Sequence, residues 1–294
     1  MTLKRQTDQW VDIDGNKLRF WMLGQAKNTI FLLHGMGCSC LEWSENIEKL
    51  SEQFTVIAVD MIGFGKSSKP VDYSYSPVNQ AKTLMQLLNR LNIKDVHLVG
   101  NSFGGRVAIE MASLLGDRAN SLTLVASAGG GSDAPLPMRL LTLPFIGKFF
   151  NKLTIDSHTI GWQSVFVNKE KICQERIDEK FNDALLPGAQ SSTLATFKTM
   201  MDIRGFKRSD LKSLHRKLKE LDLQTLIIWG DSDPLLPLHH AHRFQALIKN
   251  TRLDVFNQCG HAPQIEHPVK FNLALCEFTS GVMSHKPTQL NPDV

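Results

Sequence analysis

Residues Gly100-Asn101-Ser102-Phe103-Gly104 match the spacing G-x-S-x-G, and Gly105 follows. This pattern raises a serine on a sharp strand-to-helix turn, where small neighbours let the chain pass close to itself. A hydroxyl so placed attacks a carbonyl carbon once a base takes its proton. The turn also sets the Phe103 amide at a helix N-terminus, where an oxyanion is favoured.

Ten histidines compete for the role of base. His261, in Cys259-Gly260-His261-Ala262-Pro263, directly follows an apolar strand-like run. Loops after parallel strands gather at one sheet edge, so this histidine is expected to reach Ser102. His239, His240 and His242 read as solvated positions on a helix, and His267 as a helix start. An imidazole base needs an acid to fix its tautomer and stabilise its charge. Gly230-Asp231-Ser232-Asp233-Pro234 offers two. Asp233 is preferred because it lies further out on the loop, before Pro234. Asp231 comes second and Asp133 a remote third.

His34-Gly35-Met36-Gly37 ends an early strand and supplies a second oxyanion amide, from Met36 or alternatively Gly37. His34 reads as a residue that hydrogen-bonds this loop. Asp60-Met61-Ile62-Gly63-Phe64-Gly65-Lys66-Ser67 lacks the G-x-x-x-x-G-K-[ST] spacing of a phosphate loop and reads as a tight strand-to-helix connection.

The elements that must hold these residues are legible as short apolar runs at 29–33, 55–59, 96–99, 122–125, 226–229 and 253–256. They do not alternate, as expected of strands buried on both faces of a parallel sheet. Runs 9–14 and 17–23 flank Asp14-Gly15 and read as a hairpin. Helical periodicity at 78–91 and 103–115 lies between strands, which argues a doubly wound α/β sheet. The rhythm breaks from Gly129 to Leu223, a stretch with helical periodicity and no convincing strand. It is expected to form a cap (129–223) on a core built from 1–128 and 224–283. The polar tail 284–294, with two prolines, reads as disordered.

The chain has 294 residues, a net charge of +4 and 42% hydrophobic residues. Its mild basicity comes without a basic stripe or aromatic platform, which argues against nucleic-acid binding. The stretch 207–219, interrupted by Asp210, reads as a solvated helix face. Five scattered cysteines, Cys38, Cys40, Cys173, Cys259 and Cys276, suggest reduced thiols rather than a disulfide framework or a zinc site. The polar N-terminus has no signal-peptide apolar core, so the expected location is cytoplasmic.

Together HGMG at His34, DMIGFGKS at Asp60, GNSFGG at Gly100, WGDSDP at Trp229 and CGHAPQIEHP at Cys259 resemble the α/β-hydrolase superfamily, in family order across residues 8–282. The resemblance implies a mostly parallel, twisted, eight-stranded sheet with helices on both faces and an inserted helical cap. It also implies the chain order Ser102, Asp233, His261, with no cofactor and no metal. GNSFGG and the segment 166–201 are similar to the meta-cleavage-product hydrolases, which split vinylogous 1,5-diketones. Two departures stand against that activity: the short His34-Gly35-Met36-Gly37-Cys38, where those enzymes carry a longer Gly/Pro-rich motif, and Ala262, where they carry Trp. The GHAP motif is similar to that of esterases and monoacylglycerol-type lipases.

The leading expectation is carboxylic ester hydrolysis through an acyl-enzyme on Ser102, with the Met36 and Phe103 amides as oxyanion hole. The alternative is C–C bond hydrolysis by the same triad. A ligand-binding module that keeps the fold without turnover is a third reading. The apolar residues Leu140, Leu141, Phe145 and Phe149 are read as a pocket for the apolar part of a small-molecule ester or diketone. With Lys148 and Lys152 they also suggest weak membrane-surface contact.

Overall fold

The computed structural model describes residues 3–143 and 154–285, apart from the side chains of the last two. Strands β1 (Gln9–Ile13) and β2 (Asn16–Leu23) form an antiparallel hairpin. Asp14 and Gly15 both have positive φ, 52° and 79°, as a two-residue primed turn requires.

The predicted apolar runs become β3 (Thr29–Leu33), β4 (Thr55–Val59), β5 (Val96–Asn101), β6 (Ala119–Val125), β9 (Thr225–Gly230) and β10 (Thr251–Phe256). With the hairpin they make one eight-stranded sheet of order β1-β2-β4-β3-β5-β6-β9-β10. Pairing is parallel from β4 to β10. Only the β1–β2 and β2–β4 contacts are antiparallel.

Successive side chains of a strand point to opposite faces, so each central strand feeds two cores. Phe31, Leu33, Ile57, Val59, Leu98, Leu124, Ile227 and Trp229 pack on one face. That face is covered by α2 (Pro77–Arg90), α3 (Phe103–Leu115), α8 (Arg208–Glu220) and α9 (His239–Leu247). Ile30, Leu32, Val56, Ala58, Val99, Leu226 and Ile228 pack on the other, beneath α1 (Ile47–Ser51) and α10 (Pro268–His285). Burial of both faces is why these strands show no polar alternation.

Between β6 and β9 lie α4 (Leu136–Leu140), α5 (Ile155–Gln163), α6 (Gln174–Leu185) and α7 (Ala189–Met200), followed by α8. The expectation of no strand here is corrected by a small hairpin, β7 (Met201–Asp202) with β8 (Gly205–Phe206). Strands of two residues are too short to show a period-2 pattern. Gly205, at φ +110°, and the Asp202 carboxylate, which accepts from the Arg204 amide at 2.7 Å, close its turn.

Helix α8 returns to the sheet. Its stripe of Leu211, Leu214 and Leu218 joins the α2/α3 core. Its Asp210 and Lys217 pair with Arg106 and Glu110 of α3. The basic face read from the sequence is thus partly neutralised by the core domain's own acid. Among the described residues no helix is long and apolar enough to cross a membrane. The tail 286–294 lies outside them.

Candidate active site

Ser102 sits between β5 and α3 at φ 53°, ψ −114°, a conformation that costs an L-residue about 1–3 kcal/mol and persists only where surroundings enforce it. They do. The Ser102 amide donates to Val125 O of β6 at 2.9 Å, and Ser102 O accepts from the Ala128 amide at 3.0 Å. A Cβ on Gly100 would stand 2.3 Å from Gly104 O, and one on Gly104 would stand 2.3 Å from Leu33 O. The turn therefore exists only with hydrogens at both positions.

The loop after β10 brings His261 to the same edge. Its Nδ1 meets Asp233 Oδ2 at 2.7 Å, with both residues buried. Asp233 Oδ1 accepts the Leu235 and Leu236 amides at 2.8 and 3.0 Å, which fixes the carboxylate plane. A carboxylate acceptor assigns the proton to Nδ1, leaving Nε2 with its lone pair. Burial alone would lower the imidazole pKa. The Asp233 charge and hydrogen bond, with smaller help from Glu42 and Glu266, outweigh it and hold that pKa above its ordinary value.

The three candidate acids touch different partners. Asp231 is exposed and accepts from the Gln258 and Cys259 amides, so it ties the β9 loop to the β10 loop. Asp133 is exposed and meets His239 Nε2 at 2.8 Å. Of the three, Asp233 is the one bonded to His261.

Ser102, His261, Met36 and Phe103 line one small cavity, with Ala128, Met138, Met200, Met201, Phe206, Leu235 and Leu236. The Phe103 amide opens α3 and has no intrahelical acceptor. The Gly35–Met36 peptide is oriented by its carbonyl. Gly35 O meets His34 Nδ1 at 2.7 Å and the Cys38 amide at 3.2 Å. Because the peptide is trans and planar, holding that oxygen inward turns the Met36 N–H the opposite way. Among the described residues it has no protein acceptor. Gly37, the alternative donor, is not in the cavity wall.

His34 holds the loop as expected. Its Nε2 accepts from the Met61 amide at 3.0 Å, and burial keeps its pKa below the ordinary value. Asp60, from DMIGFGKS, braces the loop from beneath, accepting from Cys40 N, Lys66 N and Arg19.

The pocket expectation needs correction. Leu140 and Leu141 are half-buried but do not line this cavity; Met138 of the same helix does. Phe145, Phe149, Lys148 and Lys152 lie outside the described residues. Met200 closes α7, and Met201 and Phe206 come from the β7–β8 hairpin, whose two-residue strands leave no pattern in the sequence. His240 is also corrected: it is fully buried, and burial drives its pKa to about 4. Its Nδ1 accepts from the Gly131 amide at 3.1 Å.

Two further residues tie the site together. Asn101 Nδ2 donates to Val125 O and His261 O, at 3.2 and 3.1 Å, joining the serine turn to the histidine loop. Glu266 accepts from the Gly260, Val167 and Asn168 amides, at 2.8, 2.9 and 3.1 Å. Asn101 stood in plain view as the variable position of G-x-S-x-G. Glu266 carried no local signal.

Residues 28–268 match the family model described as the alpha/beta hydrolase fold. The chain belongs to this family. It is 29% identical to a 2-hydroxy-6-oxononadienedioate/2-hydroxy-6-oxononatrienedioate hydrolase of Pseudomonas putida, over 94% of this chain and 97% of that one. It is 30% identical to the enzyme of that name from Paraburkholderia xenovorans, over 87% and 88%. Among solved structures, a meta-cleavage product hydrolase from Pseudomonas fluorescens superposes with a TM-score of 0.77 at 26% identity, covering 93% of this chain and 97% of that one. The α/β-hydrolase fold read from the sequence is the fold observed.

Proposed function

We propose that this family member is a serine hydrolase that cleaves the C–C bond beside a ketone in a ring-fission-type diketone. Ser102 is the nucleophile, His261 its general base, Asp233 the acid that orients the base, and Met36 N–H and Phe103 N–H the oxyanion donors. The observation that carries the hydrolase reading is the 2.7 Å Asp233–His261 bond at the edge of the cavity that also holds Ser102. The names of the two relatives given above support the C–C assignment over ester cleavage. Of the 129–223 stretch expected as a cap, the described residues 129–143 and 154–207 act as one over the cavity, since Met138, Met200, Met201 and Phe206 supply part of its wall, whereas α8 packs into the core.

His261 takes the proton of Ser102, or of a water that Ser102 positions, as the carbonyl carbon is attacked. The two amides receive the developing oxyanion, each contributing about 3 kcal/mol to the transition state. The protonated imidazole then returns its proton to the leaving carbon, and where Ser102 made the attack a water deprotonated by His261 next cleaves the acyl-enzyme, releasing the acid and restoring the serine hydroxyl. A dienol carbanion is a competent leaving group because the charge spreads along its conjugated system.

Ester hydrolysis by the same residues is the second reading. One observation favours it: among the described residues, apart from Ser102 and His261, the cavity wall consists of apolar side chains and carries no cation. Such a wall suits a neutral acyl arm better than the second carboxylate of a dienedioate, whose desolvation it would not offset. Cytoplasmic location belongs to the same proposal, supported by five unpaired cysteines.

The test is parallel turnover of a dienoic ring-fission diketone and a p-nitrophenyl ester series by wild type and Ser102→Ala. Diketone kcat/KM well above every ester is expected. Ester turnover that dominates would replace C–C cleavage with the second reading, and full activity of Ser102→Ala would remove both.

A further inference from the structure

We propose that Lys180 is a positioning residue that sets the oxyanion loop from the cap side; this rests on the hydrolase reading above. Lys180 lies on α6, within the segment inserted between β6 and β9. Its ammonium donates to Gly37 O and to Cys38 Sγ, both at 2.9 Å. It stands 5.3 Å from the Trp162 ring centroid of α5, so an aromatic face holds the cation from the far side.

These contacts fall on the peptides next to the proposed Met36 donor. Cys38 Sγ in turn donates to Met36 O at 3.6 Å. Burial, reinforced by Glu42, pushes the Cys38 thiol up to about 11, so it is protonated and has a hydrogen to give. Met36 O and Gly37 O are thus both restrained through Lys180, and Gly35 O is restrained from the core side by His34 and the Cys38 amide. Glycine at 37, with φ +68°, gives this loop little rigidity of its own. One turn earlier on α6, buried Arg176 donates to Leu41 O and Ser44 Oγ, both at 2.6 Å. Arg176 anchors the helix to the core, and Lys180 extends that anchorage to the loop.

The consequence is that cap seating and oxyanion-hole geometry are one event. With α6 docked, Gly37 O is held by the ammonium and Met36 O by the Cys38 thiol that the ammonium also touches, which steadies the loop presenting the Met36 N–H. Without the ammonium, the Met36–Gly37 and Gly37–Cys38 peptides lose their cap-side restraints, the loop rests on the Gly35 O contacts, and the Met36 donor is held less sharply in place. The loss then falls on the transition state, where the oxyanion forms, and hardly on ground-state binding.

The experiment compares wild type, Lys180→Met and Lys180→Arg in steady-state kinetics and in the rate of Ser102 labelling by a fluorophosphonate. Labelling needs the nucleophile and the oxyanion donors but no turnover. Lys180→Met is expected to lower kcat and the labelling rate by about tenfold or more, a fraction of the loss on deleting a donor outright. KM should stay within about twofold, and Lys180→Arg should recover most of the rate. Unchanged kcat and labelling in Lys180→Met would overturn the proposal, as would a change confined to KM. If Lys180→Met misfolds, Lys180→Gln carries the same comparison. Absence of labelling in wild type would instead defeat the hydrolase reading, so the two failures are separable.

Discussion

The backbone amide of His261 donates to Val165 O at 2.9 Å. The loop that carries the imidazole is therefore bonded directly to the segment inserted over the sheet edge. Glu266 doubles the tie, accepting from Gly260 beside the histidine and from Val167 and Asn168 across the gap. The imidazole is held from the core by Asp233 and from the inserted segment by these main-chain bonds.

Glu266→Ala is expected to destabilise the fold by about 2–3 kcal/mol, because the buried Gly260 amide loses its acceptor and the two flanking amides must find water. Activity should fall further than stability explains at temperatures well below the transition. Urea unfolding midpoints beside kcat at 15 °C check both parts; unchanged midpoints would show that the carboxylate is replaceable by solvent.

Asp233→Asn keeps the shape of the side chain but removes the charge that assigns the proton to Nδ1. A fall in kcat of about 10³–10⁴-fold with native circular dichroism is expected. Asp231→Asn should leave kcat within a few-fold, since Asp231 bonds the backbone of 258 and 259 and not the imidazole. Equal losses in the two variants would mean that the acid had been misassigned.

As the proposed base, His261 acts only when neutral, so kcat/KM should rise with pH through its folded pKa. That value lies above 6.5 because of Asp233, and Asp233→Asn should move the midpoint of residual activity downward. The same shift has a stability consequence. A folded pKa above the unfolded one stabilises the fold fully below the unfolded value, and the contribution is lost as pH rises through the folded value. Wild type should therefore exceed Asp233→Asn in urea midpoint by more at pH 6 than at pH 9. A pH-independent gap would sever the link between the carboxylate and imidazole protonation.

Phe206→Ala removes a buried ring from the cavity wall and should cost about 3–4 kcal/mol of stability. In exchange, relative kcat/KM should move toward substrates with a bulkier apolar arm. A chain-length series measured on both proteins reads this out, and an unmoved optimum would place the substrate arm elsewhere.

Much of this protein was decided by residues close together in the chain. The serine turn is a local object: glycines at 100 and 104 are required by carbonyls 2.3 Å from where a Cβ would stand, so its motif is specific wherever a strand precedes it and a helix follows. The parallel sheet was equally legible, because strands buried on both faces must be continuously apolar. Asp233 against Asp231 was a matter of which carboxylate meets an imidazole 28 positions later, and both sit on the same short loop. Only folding of the β10 loop against the β9 loop separates them, by giving Asp231 two backbone amides and leaving His261 to Asp233. The cavity wall was less legible still. Met138, Met200 and Phe206 come from a helix, a second helix and a two-residue strand, and no single segment carries the pattern they make. Lys180 and Glu266 reach their partners across 143 and about a hundred positions, through contacts that exist once the inserted helices dock. Nearest-neighbour sterics and period wrote the serine turn and the sheet into the sequence, whereas the carboxylate that meets His261, the cavity wall and the ties to the inserted segment depend on long-range packing that no local spacing encodes.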